Sequence, residues 1–191
     1  MKSVYKKRIV ITGSSGLLGK YFSKKFKKKY IIYKYPYRIE NIKKFAKWIK
    51  RKNFEYFIHF AAISKKSPRK LNRINSIASV NIIKHLSKKK SFKYFLFIST
   101  SHVYRYSKTK ISEKQKPKPI NKYGLSKKRV EDFIIQNKKI LKFKIGIARI
   151  FNITGPKQRE GYFIPDMYKL IKKKNLIDNV NTYRDFIHID D

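Results

Sequence analysis

Arg8-Ile9-Val10-Ile11-Thr12-Gly13-Ser14-Ser15-Gly16-Leu17-Leu18-Gly19 is the stretch that decides the fold. Arg8–Thr12 reads as a short buried strand, because its apolar run is brief and stops at a turn signal. Glycines at 13, 16 and 19 then reverse the chain, and residues 17–28 follow with helical spacing, Leu18, Phe22 and Phe26 falling on one face. Strand, glycine turn and helix in that order form the context in which a dinucleotide pyrophosphate is held. Absent side chains let backbone approach the phosphates, whose charge meets free N–H groups and the positive helix end. Gly13, Ser15, Gly16, Leu17 and Gly19 are therefore candidate cofactor contacts.

The same alternation continues outward. Strand patterns at 30–33, 56–61, 92–99 and 143–151 are separated by helical ones at 42–50, 72–86 and 123–137. The first of these helices points Phe45, Trp48 and Ile49 inward. That order predicts an α/β fold, a Rossmann-type doubly wound parallel sheet covered on both faces. A basic loop spans 105–120, broken by Pro117 and Pro119. Beyond Phe151 the texture shifts to turns and a short helix at 167–173, so residues 1–151 read as the dinucleotide-binding domain and 152–191 as the start of a second lobe. The run from Arg184 to Asp191 looks strand-like, with no partner evident in the sequence.

With 191 residues and 41% apolar content, the chain suffices for one main domain with a true core. It has no cysteine, which excludes disulfides and thiolate zinc sites, and no His/Asp/Glu spacing suggests another metal. No apolar run approaches the roughly 18 residues of a membrane span, so a soluble, cytoplasmic protein is expected. The net charge is +39, from 50 Lys and Arg against 11 Asp and Glu. The lysines are spread along the whole chain beside abundant Ile, Asn, Tyr and Phe, all encoded by AT-rich codons. Base-composition drift accounts for that pattern, so no specific nucleic-acid partner is expected, only weak nonspecific attraction to polyanions.

Six tyrosines have a lysine four residues later, but only Tyr123 opens a helix, in Tyr123-Gly124-Leu125-Ser126-Lys127. Four residues is just over one turn, so Tyr123 and Lys127 share a face. An ammonium about 4 Å from a phenol is worth roughly 4 kcal/mol gross at an effective dielectric near 20, enough to make the phenol a usable proton donor. Lys127 could also hold a nicotinamide ribose. Thr100, ending the strand Ser99-Thr100-Ser101, would bind the reacting oxygen. After the second strand come Lys34, Tyr35, Pro36, Tyr37 and Arg38, where an acid would select NAD. A guanidinium instead clamps a 2′-phosphate, so Arg38 leans the choice towards NADP over NAD.

These pieces run in a family order: Thr12-Gly13-x-x-Gly16-x-x-Gly19, His59-x-Ala61-Ala62, Asn75, Ser99-Thr100-Ser101-His102-Val103-Tyr104, Tyr123-x-x-x-Lys127, Arg149-x-Phe151-Asn152 and Arg184-Asp185-Phe186-Ile187-His188. In them the chain resembles the extended short-chain dehydrogenase/reductases of the nucleotide-sugar epimerase/dehydratase type. The resemblance implies that Thr100, Tyr123 and Lys127 are catalytic, that Ala61 and Ala62 flank the cofactor, and that Asn75 supports the site. It implies that Asn152 and Arg184 contact a nucleotide-sugar diphosphate, although Asn152 also suits a turn before Gly155. Family dehydratases carry Asp-Glu after the threonine, where this chain has Ser101-His102. His102 is either a second acid/base or a hydrogen-bonding residue of the substrate loop. Residues 151–158 and 163–165 are similar to GDP-4-keto-6-deoxymannose reductases, which favours a 4-keto reductase over a 4-epimerase or an idle cofactor-binding domain. His59 and His188 suit strand-end packing, and His85 suits a helix surface. Family members are longer, so an incomplete substrate lobe is expected, and their dimers use the helices at 72–86 and 123–137.

Overall fold

The computed structural model describes residues 5–173 and 184–191. It divides into two compact units, Met1–Arg149 and Ile150–Asp191. In the first, strands β1 (Arg8–Thr12), β2 (Ile31–Lys34), β3 (Tyr56–His59), β4 (Tyr94–Thr100) and β5 (Lys144–Ile150) form one sheet in the order β2-β1-β3-β4-β5. The pairings of β1 with β2 and β3, and of β3 with β4, are parallel. The strand order reverses beside β1, so a crevice opens where β1 and β3 end, the place where such sheets bind ligands.

Helices α1 (Leu17–Phe26), α2 (Ile42–Lys50), α3 (Pro68–Leu71), α4 (Ser79–Leu86) and α5 (Lys122–Asn137) cover the sheet, with a π-helical segment, Asn72–Ala78, joining α3 to α4. Phe45, Phe54, Phe57, Phe95 and Phe97 are fully buried, and Ile82, Ile83 and Leu86 of α4 pack with them. Trp48 is only half-buried at the rim of this core. Expectation and structure differ on α1. Leu18, Phe22 and Phe26 are half-buried, while the buried residues are Gly19 and Ser23. The helix lies close against the glycine turn, and only small side chains fit there.

Boundaries differ for readable reasons. The helix expected from 72 begins at Pro68, a residue that suits a first helical turn because its missing N–H would be unpaired there anyway. Pro165 does the same in α6 (Phe163–Lys172), which starts four residues before the expected 167. In the second unit, β6 (Asn152–Thr154) pairs in parallel with β7 (Phe186–His188), so the strand-like run at the end has a partner after all. Among the described residues no helix is long and apolar enough to cross a membrane.

Candidate active site

The turn after β1 is fixed by contact with the chain just past β3. Gly13 adopts φ +69°, and a Cβ there would lie 2.6 Å from the Ala61 nitrogen, so no other residue fits without displacing backbone. Gly16 closes the turn with its N–H on the Gly13 carbonyl at 3.0 Å. It caps α1, and its missing side chain faces open space apart from that same carbonyl oxygen. No side chain caps the first turn of α1 and no acid sits in it, so its N–H groups present a positive end to the crevice. Ser15 and Gly16 are exposed and Leu17 is half-buried. Ala61 donates its N–H to Thr12 Oγ1 at 3.3 Å, and Ala62 is exposed beside it. Arg38 lies past β2, where it lines an open cleft of about 800 Å³ with Tyr37, Lys44 and Arg73.

The residues expected to do chemistry sit where β4 ends and α5 begins. Thr100 is the last residue of β4, 6% exposed, and its Oγ1 accepts the His102 N–H at 3.3 Å. Asn121 opens α5 by accepting the Gly124 N–H at 2.8 Å on its side-chain oxygen. With that oxygen used, its amide N–H₂ faces His102 Nδ1 at 2.6 Å, making Nδ1 the acceptor and leaving the ring proton on Nε2. Tyr123, in the first turn of α5, meets the His102 ring edge to face at 5.8 Å. Strand end and helix start are thus tied together through His102.

Lys127, one turn further, is 1% exposed, with Nζ donating to the Ile98 carbonyl at 2.7 Å and standing 4.7 Å over the Phe97 ring. Burial pulls its pKa down to about 7, against the upward pull of the Glu131 carboxylate. The sequence alone suggests a full ammonium beside Tyr123. The fold instead buries that amine and weakens its hold on the proton.

Two supporting residues, Glu131 and Asn121, are absent from the sequence reading. Glu131, 1% exposed, accepts from the Ser99 hydroxyl and from Arg149 Nη2 at 2.8 Å, and Arg149 Nη1 donates to the Tyr104 hydroxyl at 2.6 Å. The signal for Glu131 was an acid one turn beyond Lys127, beside Asp132, in a basic helix. Asn121 was legible as a helix-capping residue two before Tyr123. His59, fully buried, bridges Thr12 Oγ1 at 2.7 Å and Ser79 Oγ at 2.9 Å. Burial first, then the nearby Lys127 charge, lowers its pKa to about 3, so it stays neutral and structural. Asn75, also fully buried, holds both the N–H (3.0 Å) and the carbonyl (2.8 Å) of Ile63 and donates to Ser126 Oγ at 3.1 Å. It clamps the loop after β3 to α5.

Asn152 and Arg184 belong to the second unit. Asn152 donates to the Asp185 carbonyl at 3.0 Å, and the Arg184 guanidinium lies 5.0 Å from the Phe163 ring centre. His188, expected in strand-end packing, is exposed and pairs with Asp190 at 3.3 Å.

A family model described as NAD dependent epimerase/dehydratase family matches residues 9–191. The GDP-6-deoxy-D-talose 4-dehydrogenase of Aggregatibacter actinomycetemcomitans is 26% identical over 198 residues, covering 96% of this chain and 67% of its own. The GDP-6-deoxy-D-mannose reductase of Pseudomonas aeruginosa is 26% identical over 137 residues, covering 66% of this chain and 45% of its own. The chain thus spans about two thirds and under half of these relatives. The structure of RMD from Pseudomonas aeruginosa, complexed with NADPH, superimposes with a TM-score of 0.83 at 22% identity, covering 97% of this chain and 70% of the other, a likeness of fold.

Proposed function

Because the chain belongs to the NAD dependent epimerase/dehydratase family, we propose that it binds a nicotinamide dinucleotide and reduces the C4 ketone of a nucleotide-linked 6-deoxy sugar. The observation that carries this reading is the hydrogen-bonded junction of β4 and α5, which gathers Thr100, His102 and Tyr123. The dinucleotide, when bound, supplies the hydride. Gly13, Ser15, Gly16 and Leu17 seat its pyrophosphate on backbone N–H groups, Gly19 lets α1 approach, Ala61 and Ala62 line the crevice, and Arg38 binds a 2′-phosphate, which favours NADP over NAD. The fit rests on Gly16 facing open space at an uncapped helix end.

Thr100 holds the ketone oxygen, and Tyr123 gives it a proton as charge develops there. Lys127 biases that transfer from its buried seat. His102, its Nδ1 occupied by Asn121, is assigned a donor role to the sugar. Residues 1–151 are assigned to the cofactor and 152–191 to the sugar nucleotide, with Asn152 and Arg184 on its diphosphate. Ile77 and Ile135, both exposed on the helices that the family uses for dimers, support a homodimer.

The relatives' names, a GDP-6-deoxy-sugar 4-dehydrogenase and a GDP-6-deoxy-sugar reductase, support chemistry at that carbon. The test is incubation with NADPH and GDP-4-keto-6-deoxymannose. Loss of NADPH with a 4-hydroxy product supports the reading. A C4-inverted product from a saturated sugar nucleotide, with no net cofactor use, would replace it by epimerisation.

A further inference from the structure

Along the sequence the lysines look evenly spread, but in the first unit folding brings four runs of three basic residues to one edge. In the first unit, backbone bonds from Ile31 N to Lys7 O (3.0 Å), Glu55 N to Arg8 O (3.2 Å), Lys93 N to Glu55 O (2.8 Å) and Lys144 N to Lys93 O (2.9 Å) set the entries of all five strands side by side. The helices that return the chain end at this same edge. Residues 6–8, 27–29, 50–52 and 88–90 each supply three consecutive Lys or Arg to it, and residues 138–139 add two more lysines. Among the described residues of these entries and turns the one acid is Glu55, and Lys93 neutralises it at 2.7 Å. The opposite edge is different. The turns that follow β1 to β4, residues 13–16, 35–41, 60–67 and 101–121, carry scattered basic residues, with Lys65-Lys66 the longest run, and two acids, Glu40 and Glu113.

Helix dipoles favour cations at helix ends, typically by about 0.3–1 kcal/mol each, which accounts for one or two lysines per helix. They do not account for residues 6–8, at the start of β1, or for triplets at three of the four helix-to-strand turns. Bunched like charges work against the compact state, a cost that a polyanion removes. Drift in base composition enriches lysine but does not choose an edge.

We propose that this strand-entry edge docks the phosphodiester backbone of nucleic acid, by charge and without base preference. Compact ammonium groups suit phosphate contacts that position without reading sequence. An anionic membrane fits less well, because the exposed apolar side chains here are few, Tyr5, Ile31 and Ile140, and they form no lipid-inserting helix face.

The test titrates the full chain against a short mixed-sequence RNA by fluorescence anisotropy across a salt series. Binding should weaken steeply with salt, the log–log slope gaining about 0.7–0.9 per phosphate contact. Neutralising Lys27, Lys28, Lys88, Lys90 and Lys139 to Gln should cut affinity about tenfold or more and flatten that slope by about 3–4. The control neutralises Lys108, Lys110, Lys114, Lys116 and Lys118 to Gln, an equal charge change in the loop leaving the opposite edge, and should alter affinity less than about threefold. Equal losses in the two variants would mean a global field and overturn the proposal. So would absence of RNA binding, with or without binding to phosphatidylserine vesicles. Melting curves check both variants, and Lys88→Gln with Lys90→Gln alone reads the same contrast if the larger set destabilises.

Discussion

Lys127 Nζ donates to the Ile98 carbonyl at 2.7 Å from a position almost closed to solvent. The ammonium has one carbonyl and one aromatic face in place of water, and its pKa falls from 10.5 to about 7. Between those values the unfolded chain carries a proton that the folded chain has lost, so this group makes stability rise with pH from about 7 to 10.5. The full swing is on the order of 4–5 kcal/mol. Lys127→Met should flatten the pH dependence of chemical denaturation across that window, whatever its stability at one pH. An unchanged slope would show that the amine titrates normally.

His59 gives the mirror case on the acid side. Its pKa falls from 6.5 to about 3, so the folded state resists protonation and stability is lost as pH drops through that range. His59→Asn removes the titrating ring. The variant should be less stable at pH 7 but should lose less on acidification than the parent. Parallel losses would contradict the assignment of a neutral bridge between Thr12 and Ser79.

Gly13 and Gly16 separate folding from binding. Gly13→Ala forces a left-handed conformation costing about 1–2 kcal/mol and drives a methyl into the Ala61 backbone. Its melting temperature should fall together with its cofactor affinity. Gly16→Ala meets open space, so it should melt within a few degrees of the parent while binding the dinucleotide about tenfold more weakly. Normal cofactor affinity in Gly16→Ala would remove the pyrophosphate from this turn.

Arg38→Ala should lower NADPH affinity about tenfold or more and leave NADH affinity within about twofold, since a guanidinium on a 2′-phosphate is a charge-assisted contact. Isothermal titration with both dinucleotides measures the difference. Equal losses for the two would make Arg38 a general contributor to charge.

The sheet was legible because its signals are local. Ile9 to Ile11 followed by Gly13, Gly16 and Gly19 names strand, turn and helix together, and Phe95 and Phe97 alternate into the core as a strand should. Asn75 was picked out through resemblance, because the residues around it repeat a family order. What the sequence hid depends on distant neighbours. The π-helical segment at Asn72–Ala78 carries Asn75, which reaches Ile63 and Ser126. The depth of Lys127 follows from α5 lying on Phe97, and no residue near it in sequence announces that burial. Gly19 and Ser23, not the larger Phe22 and Phe26, turned out to be the buried face of α1, since space against the glycine turn outweighed hydrophobic pattern.

Tyr123→Phe measures the central claim most directly. The phenyl ring retains the contact with His102, so folding and dinucleotide affinity should stay within about threefold of the parent, while loss of the proton donor should slow ketone reduction about 10²–10⁴-fold. Turnover of GDP-4-keto-6-deoxymannose by Tyr123→Phe at the parent rate would contradict the account.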